Sequence, residues 1–270
     1  MQKHSGYIWH RLYLYWNKIK YISDIYVTKT ILKKGILHIL TIAFVLLSLV
    51  SYSQEASERG NLSNYYNEKL HFGFTIGVNR TNFIIQNAEH FERFDSLKWI
   101  HSSPKTGFNL GIVSELRLHK YLTLRFIPSL SFAERNLEYY FEGVDTIARK
   151  KTIESTFLNF PLDLKLRSKR VGNFGAYILG GWSYSLDLAS KRKTQTSTDP
   201  NEQIVKLKRD DFGYEVGAGA EFYLQYFKFA IEAKLSVGTK NLLIKDNTIY
   251  SNSIDKLNSK VFLISLTFEG

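Results

Sequence analysis

The stretch from Phe212 to Val237, FGYEVGAGAEFYLQYFKFAIEAKLSV, decides the fold. Up to Leu224 its even-numbered residues are apolar (Phe212, Tyr214, Val216, Ala218, Ala220, Phe222), against Gly213, Glu215, Gly217, Gly219 and Glu221. Period two is the signature of a strand with one greasy face. After Gln225-Tyr226 the parity flips, so that Phe227, Phe229, Ile231, Leu235 and Val237 become the apolar set. A two-residue hairpin turn requires that flip, because the residues flanking it stand on one face. Phe222 should then oppose Phe229, and Val216 should oppose Leu235. On the other face Glu221 lies diagonal to Lys228, and Glu215 diagonal to Lys234.

The same alternation recurs outward from this hairpin. It runs through Leu70 to Phe83, Lys105 to His119, Tyr121 to Arg135, Thr152 to Arg167 and Phe174 to Leu188, and again through Lys260 to Gly270. With the hairpin these make eight strands. Their connections alternate in length: residues 84 to 104, 136 to 151, 189 to 210 and 239 to 259 are long and polar, while 119 to 121, 168 to 173 and 225 to 226 are short. The predicted fold is therefore all-β, an eight-stranded antiparallel up-and-down transmembrane β-barrel, with long loops outside and tight turns in the periplasm. That arrangement puts both mature termini on the periplasmic side of a bacterial outer membrane.

A soluble β-sandwich also hides one apolar face per strand. Three features favour the membrane. The strands match or exceed the roughly 9 to 11 residues that a tilted crossing needs. Aromatics such as Tyr121, Tyr184, Phe212 and Tyr226 sit near strand ends, where interfacial girdles form. The chain ends Leu266-Thr267-Phe268-Glu269-Gly270, which resembles the signal read by the outer-membrane insertion machinery. Ten of the 17 glycines lie on the polar face, so that face should line the crowded inside of the curved sheet. The apolar face then meets outer-membrane lipid.

The start of the chain has a different character. Residues 36 to 50, ILHILTIAFVLLSLV, follow Lys33-Lys34 and precede Ser51-Tyr52-Ser53. A basic segment, a short apolar run and small residues at −3 and −1 are the parts of a signal peptide, cleaved between Ser53 and Gln54. An uncleaved anchor helix is the alternative, although the run is shorter than the roughly 20 residues of a spanning helix. The expected organisation is a lead and signal over 1–53, a flexible periplasmic lead over 54–69, and a barrel over 70–270. The net charge of +11 shrinks to about +5 once the signal region is set aside, and its cations are scattered, so no nucleic-acid partner is expected.

Chemistry is sparse. There is no cysteine, which excludes disulfides and thiolate metal sites. His71, His90, His101 and His119 lack metal-ligand spacing, and His71 should be a hydrogen-bonded lumen residue. No G-x-S-x-G occurs, and nothing pairs a serine with a histidine. Neither cofactor nor metal is expected, and the protein is predicted to be non-enzymatic. The inward face should carry a structural network of charges: Glu115, Arg117, Arg125, Asp163, Lys165, Glu215, Glu221, Glu232 and Lys234, with Arg135 and Arg167. An eight-stranded interior is only wide enough for side chains, so these charges should pair and plug it, a conducting path being the alternative. Lys191-Arg192-Lys193 reads as a solvated loop tip or a contact for surface lipopolysaccharide.

The phrases FGFTIGVNRTNF (72–83), GFNLGIVSEL (107–116), FLNFPLDLKLR (157–167) and GYEVGAGAEF (213–222) resemble the PorT-type outer-membrane β-barrel family over about residues 70 to 270. The fourth-strand phrase with Pro161 is the most distinctive. The resemblance implies an integral outer-membrane component connected with type IX secretion and gliding, with other secretion-system proteins as partners. It carries no catalytic motif. A surface adhesion or ligand-binding barrel, or a minor pore, is the competing reading.

Overall fold

The computed structural model describes residues 60–62, 65, 68–88, 97–141, 148–189, 205–246 and 248–270. Residues 1 to 59, with the Ser53–Gln54 cleavage point, lie outside them, as do His90 and Lys191-Arg192-Lys193. Nine strands are present: β1 (Leu70–Asn87), β2 (Leu97–Arg117), β3 (Leu122–Phe126), β4 (Ser129–Phe141), β5 (Ala148–Arg167), β6 (Phe174–Asp187), β7 (Asp210–Tyr223), β8 (Lys228–Gly238) and β9 (Ile254–Glu269). Among the described residues one short helix, α1 (Ile249–Asn252), precedes β9.

All pairings are antiparallel between chain neighbours, and β1 pairs with β9, so the sheet closes on itself. Strands β3 and β4 are one barrel strand, because the register against β2 and β5 is the same on both sides of Ile127-Pro128. The ring therefore holds eight strands. The division has a chemical cause. Ile127 donates to the Pro161 carbonyl (3.4 Å) and Ile112 donates to the Pro128 carbonyl (3.0 Å), but neither proline can return a bond. Two facing prolines thus weaken the ladder at one level of the wall.

The opening hairpin has the expected register. Phe222 opposes Phe229, Val216 opposes Leu235, and Leu224 donates to Phe227 across Gln225-Tyr226 (3.0 Å). Another tight turn, Gly172-Asn173, is closed by two Val171–Phe174 hydrogen bonds of 2.8 and 3.0 Å. Gly172 has φ +58°, which only a residue without a side chain adopts at little cost.

Polarity across the wall is as anticipated over the apolar belt. Phe72, Phe74, Ile112, Ile178, Trp182 and Ile264 are exposed, while His71, Thr75, Asn79, Asn109 and Ser183 are buried in the lumen. Glycines relieve crowding inside: a Cβ on Gly219 would collide with the Tyr177 ring, and one on Gly181 with Asp163.

The loops differ from expectation. Strands run on into the segments predicted to be loops at 84–104, 136–151 and 239–259, so that β2 has 21 residues and β5 has 20. In these extensions the apolar and polar faces exchange, with register shifts in β2 and between β1 and β9 resetting the parity. Phe83, Leu97, Leu137, Tyr139, Ile254 and Leu257 point inward into one buried apolar cluster. Arg80, Gln86, Glu154, Lys256 and Lys260 stand exposed outside. The reason is the solvent: beyond the lipid, water is on the outside and the apolar residues turn in.

Candidate functional site

The lumen is the site, and it has three levels. At the end bearing the tight turns lies an ion-pair network built from alternate residues of six barrel strands. Arg125 on β3 is fully buried and reaches Glu115 on β2 (3.1 Å), Glu269 on β9 (3.6 Å) and, closest, Glu232 on β8. Lys165 on β5 donates to Glu115 (2.7 Å) and pairs with Glu221 on β7. Lys228 on β8 touches Glu115 (2.9 Å), Glu221 (3.3 Å) and Glu269 (2.6 Å). Lys234 holds Asp163 (2.8 Å) and Glu215 (2.9 Å), with Glu232 at 3.8 Å.

Both diagonal pairs anticipated in the hairpin, Glu221–Lys228 and Glu215–Lys234, are therefore made. Charges so far from water persist only when paired and hydrogen-bonded. Tyrosines supply the remaining bonds: Tyr177 donates to Glu232 (2.7 Å) and Tyr223 to Glu221 (2.9 Å).

Eight of the eleven lumen charges expected from sequence are brought together; Arg117, Arg135 and Arg167 are not. Arg117 is half-buried at the rim and makes no ion pair among the described residues. Arg167 is likewise at the rim, bonded to the Lys120 carbonyl (2.9 Å). Lys228 was anticipated only as the partner of Glu221, and Glu269 was not anticipated; both are central members. The signal was present: each falls on the inward parity of its strand, Glu269 beside Thr267 and Ser265.

Tyr65 closes this end. Its ring stacks on His71 (centroids 3.8 Å apart), its hydroxyl donates to Glu269 (3.2 Å), and its carbonyl accepts from His71 Nε2 (2.7 Å). Burial pushes the Tyr65 phenol well above its ordinary value. Asn61 adds bonds to Asn173 (2.9 Å) and to the Tyr223 carbonyl (3.1 Å). The lead expected to be flexible is thus pinned to the barrel at these described points, because an aromatic ring finds a stacking partner in the mouth.

Above the network lies a cavity of about 90 Å³, lined by hydroxyls and amides including Thr75, Asn79, Asn109, Ser131 and Ser183. At its far end Arg135 is buried between the Phe83 and Phe157 rings, 4.3 and 5.0 Å from their centroids, and donates to Ser155 (2.8 Å). The loop end beyond it is covered by the apolar cluster. Segments 205–208 and 242–244 pair across it, through Lys208 to Leu242 (2.8 Å) and Ile244 to Lys206 (3.0 Å). Asp246 anchors this cover, accepting from Thr248 (2.8 Å) with Lys206 at 3.7 Å. Burial opposes ionisation of Asp246, but bonds from Ser251 and Thr248 together with Lys206 outweigh it and hold the carboxyl below its usual range.

This arrangement can hold a wall shut and can bind at its ends. Among the described residues no group of three or more acidic, histidine or cysteine side chains is placed to hold a metal.

The family profile described as "Outer membrane protein beta-barrel domain" matches residues 52–243. The chain belongs to that family. It is an outer-membrane β-barrel, and its apolar belt faces membrane lipid. No curated protein matches it.

Solved barrels resemble it distantly. The attachment invasion locus protein Ail of Yersinia pestis shares 14% identity over 75% of this chain and 100% of its own, with a TM-score of 0.35. OprG of Pseudomonas aeruginosa shares 16% over 74% and 94%, with a TM-score of 0.36. The outer membrane protease OmpT of Escherichia coli shares 11% over 75% and 96%, with a TM-score of 0.37.

Proposed function

We propose that this outer-membrane barrel is a non-enzymatic, plugged scaffold that serves as an assembly or accessory component of protein export, working through its two ends and not through its lumen. The observation that carries the reading is the ion-pair network. Fully buried Arg125, Lys165 and Lys228 against Glu115, Glu221, Glu232 and Glu269 fill the cross-section at the turn end, and opening a path there would strip paired charges. The PorT-like phrases at 72–83, 107–116, 157–167 and 213–222 direct the proposal to type IX secretion and gliding, with other secretion-system proteins as partners. In this reading the signal is cleaved between Ser53 and Gln54. Both mature termini and the short turns lie in the periplasm, and the long-loop end lies outside the cell.

Deletion of the gene should impair export and surface attachment of cargo, and the barrel should co-purify from outer membranes with secretion components. Normal cargo secretion in the deletion strain would sink the proposal. Solute flux through liposomes carrying the purified barrel should be at background.

One observation favours a second reading, surface adhesion or ligand binding. Trp99 and Tyr140 stack (4.8 Å) on the outer wall of the strand extension, where Trp99 is 51% exposed well beyond the apolar belt. Replacing the long-loop segments by short turns separates the two: adhesion should vanish while export persists.

A further inference from the structure

The outer wall carries an unmatched pair of cations where the apolar belt ends. On β1 the outward residues are Phe72, Phe74, Ile76 and Val78, and the next outward position is Arg80. On β9 the outward residues are Phe268, Leu266, Ile264 and Phe262, and the next is Lys260. Arg80 is registered with Phe262 and Asn82 with Lys260, so the two cations are diagonal neighbours across adjacent strands. Diagonal neighbours are about 7–8 Å apart, with their Cβ atoms somewhat closer, within joint reach of one tetrahedral anion.

Both side chains are exposed, and neither makes an ion pair or hydrogen bond among the described residues. The register positions around them are Thr106, Phe262, Asn82 and Val237, with no acid. Three other cations on this end have acidic partners: Lys105 with Glu134 (3.9 Å), Lys245 with Asp255 (3.9 Å), and Lys240 with Asp210.

Adjacent like charges repel, and leaving them unscreened at the edge of a low-dielectric belt increases the repulsion. The anion available at that height is the phosphate of a lipid headgroup whose acyl chains lie along Val78, Phe262 and Ile264. Arginine supplies the forked donors that match phosphate, and lysine adds a point charge. We propose that Arg80 and Lys260 form a phosphate site for the outer-leaflet glycolipid. The phosphate chemistry stands on the register alone. The choice of leaflet rests on the orientation given above, in which the long-loop end faces outward.

The purified full chain in detergent, titrated with diphosphorylated lipid A and read by native mass spectrometry, tests the site. The Arg80→Gln/Lys260→Gln double variant should bind at least tenfold more weakly than the unmodified barrel. Lys120→Gln, in a turn at the opposite end, should bind as the unmodified protein does. Lipid A stripped of its phosphates should bind the unmodified barrel as weakly as the double variant binds the intact lipid. The heat-dependent gel shift of the double variant should be unchanged, showing that the barrel is folded. Equal binding by the double variant, or undiminished binding of the dephosphorylated lipid, would overturn the site. Orientation is read separately, by antibody access on intact cells to an epitope inserted after Lys245: access is expected, and its absence would overturn the assignment to the outer leaflet whatever the binding result.

Discussion

Within β9, two stretches of one strand follow opposite rules. From Phe262 to Glu269 the outward residues Phe262, Ile264, Leu266 and Phe268 are all apolar, and Ser265, Thr267 and Glu269 face the lumen beside Leu263. From Ile254 to Lys260 the apolar Ile254 and Leu257 are fully buried inside, and Lys256 and Lys260 stand outside. The backbone alternation is the same in both down to Lys256, where a register shift against Gln86-Asn87 turns Ile254 inward as well. What differs is the medium on the outer side, lipid in one stretch and water in the other, and therefore which face must be apolar. The barrel is thus inside-out where it crosses the membrane and like a soluble protein above it.

The sharpest break of this contrast is in the lower stretch. Arg125→Met removes the cation shared by Glu115, Glu232 and Glu269, and should cost about 3–5 kcal/mol by stranding buried carboxylates. Urea unfolding of the lipid-embedded barrel, followed by the heat-dependent gel shift, reads that loss.

Next comes a swap across the boundary. Ile264→Lys, near the middle of the belt, should destabilise by about 2–4 kcal/mol, whereas Lys256→Leu, on the wetted wall of the same strand, should change stability by less than about 0.5 kcal/mol. Similar costs for the two in the same unfolding assay would refute the exchange of faces.

Ile254→Val in the apolar cluster should cost about 1 kcal/mol. Its effect should be confined to the cover, so hydrogen exchange should quicken at Leu242 and Ile244 while amides of the belt keep their protection.

The smallest effect is a pH dependence of the same cover. The Asp246 carboxyl titrates lower folded than unfolded, so the unfolded form binds the proton first as pH falls. The stabilisation is complete above the ordinary aspartate value and disappears as pH drops below it through the depressed folded value. Hydrogen exchange at Ile244 should therefore accelerate in that acid window in the unmodified protein, and Asp246→Asn should flatten the change.

Much of the lower barrel was legible in sequence because lipid enforces a strict rule. Almost every outward residue of the belt is apolar, Ser114 being an exception, so Phe222, Phe229, Val216 and Leu235 declared their face and their register, and the lumen charges followed by parity. Lys228 was legible as the partner of Glu221, and Glu269 was equally legible from its parity with Thr267 and Ser265. The upper barrel was misread as loop. Its inward residues Leu137, Tyr139 and Leu257 break the expected phase, and two register shifts in β2, between Leu97 and Trp99 and between Pro104 and Phe108, hide the period further. Tyr65 could not be placed at all, since a lone aromatic in a polar lead carries no period.

By itself the sequence determined the strand number, the register of the Phe212–Val237 hairpin and the polarity of each face along the belt, because these follow from local alternation and from a short turn that leaves no choice of partner. The register in which β1 closes on β9, convergence of Arg125, Lys228 and Glu269 from distant strands, Tyr65 in the mouth and the apolar cover were decided only by tertiary structure. Each depends on which residues a closed, tilted ring brings to one height, and that height is a property of the whole ring, not of any strand.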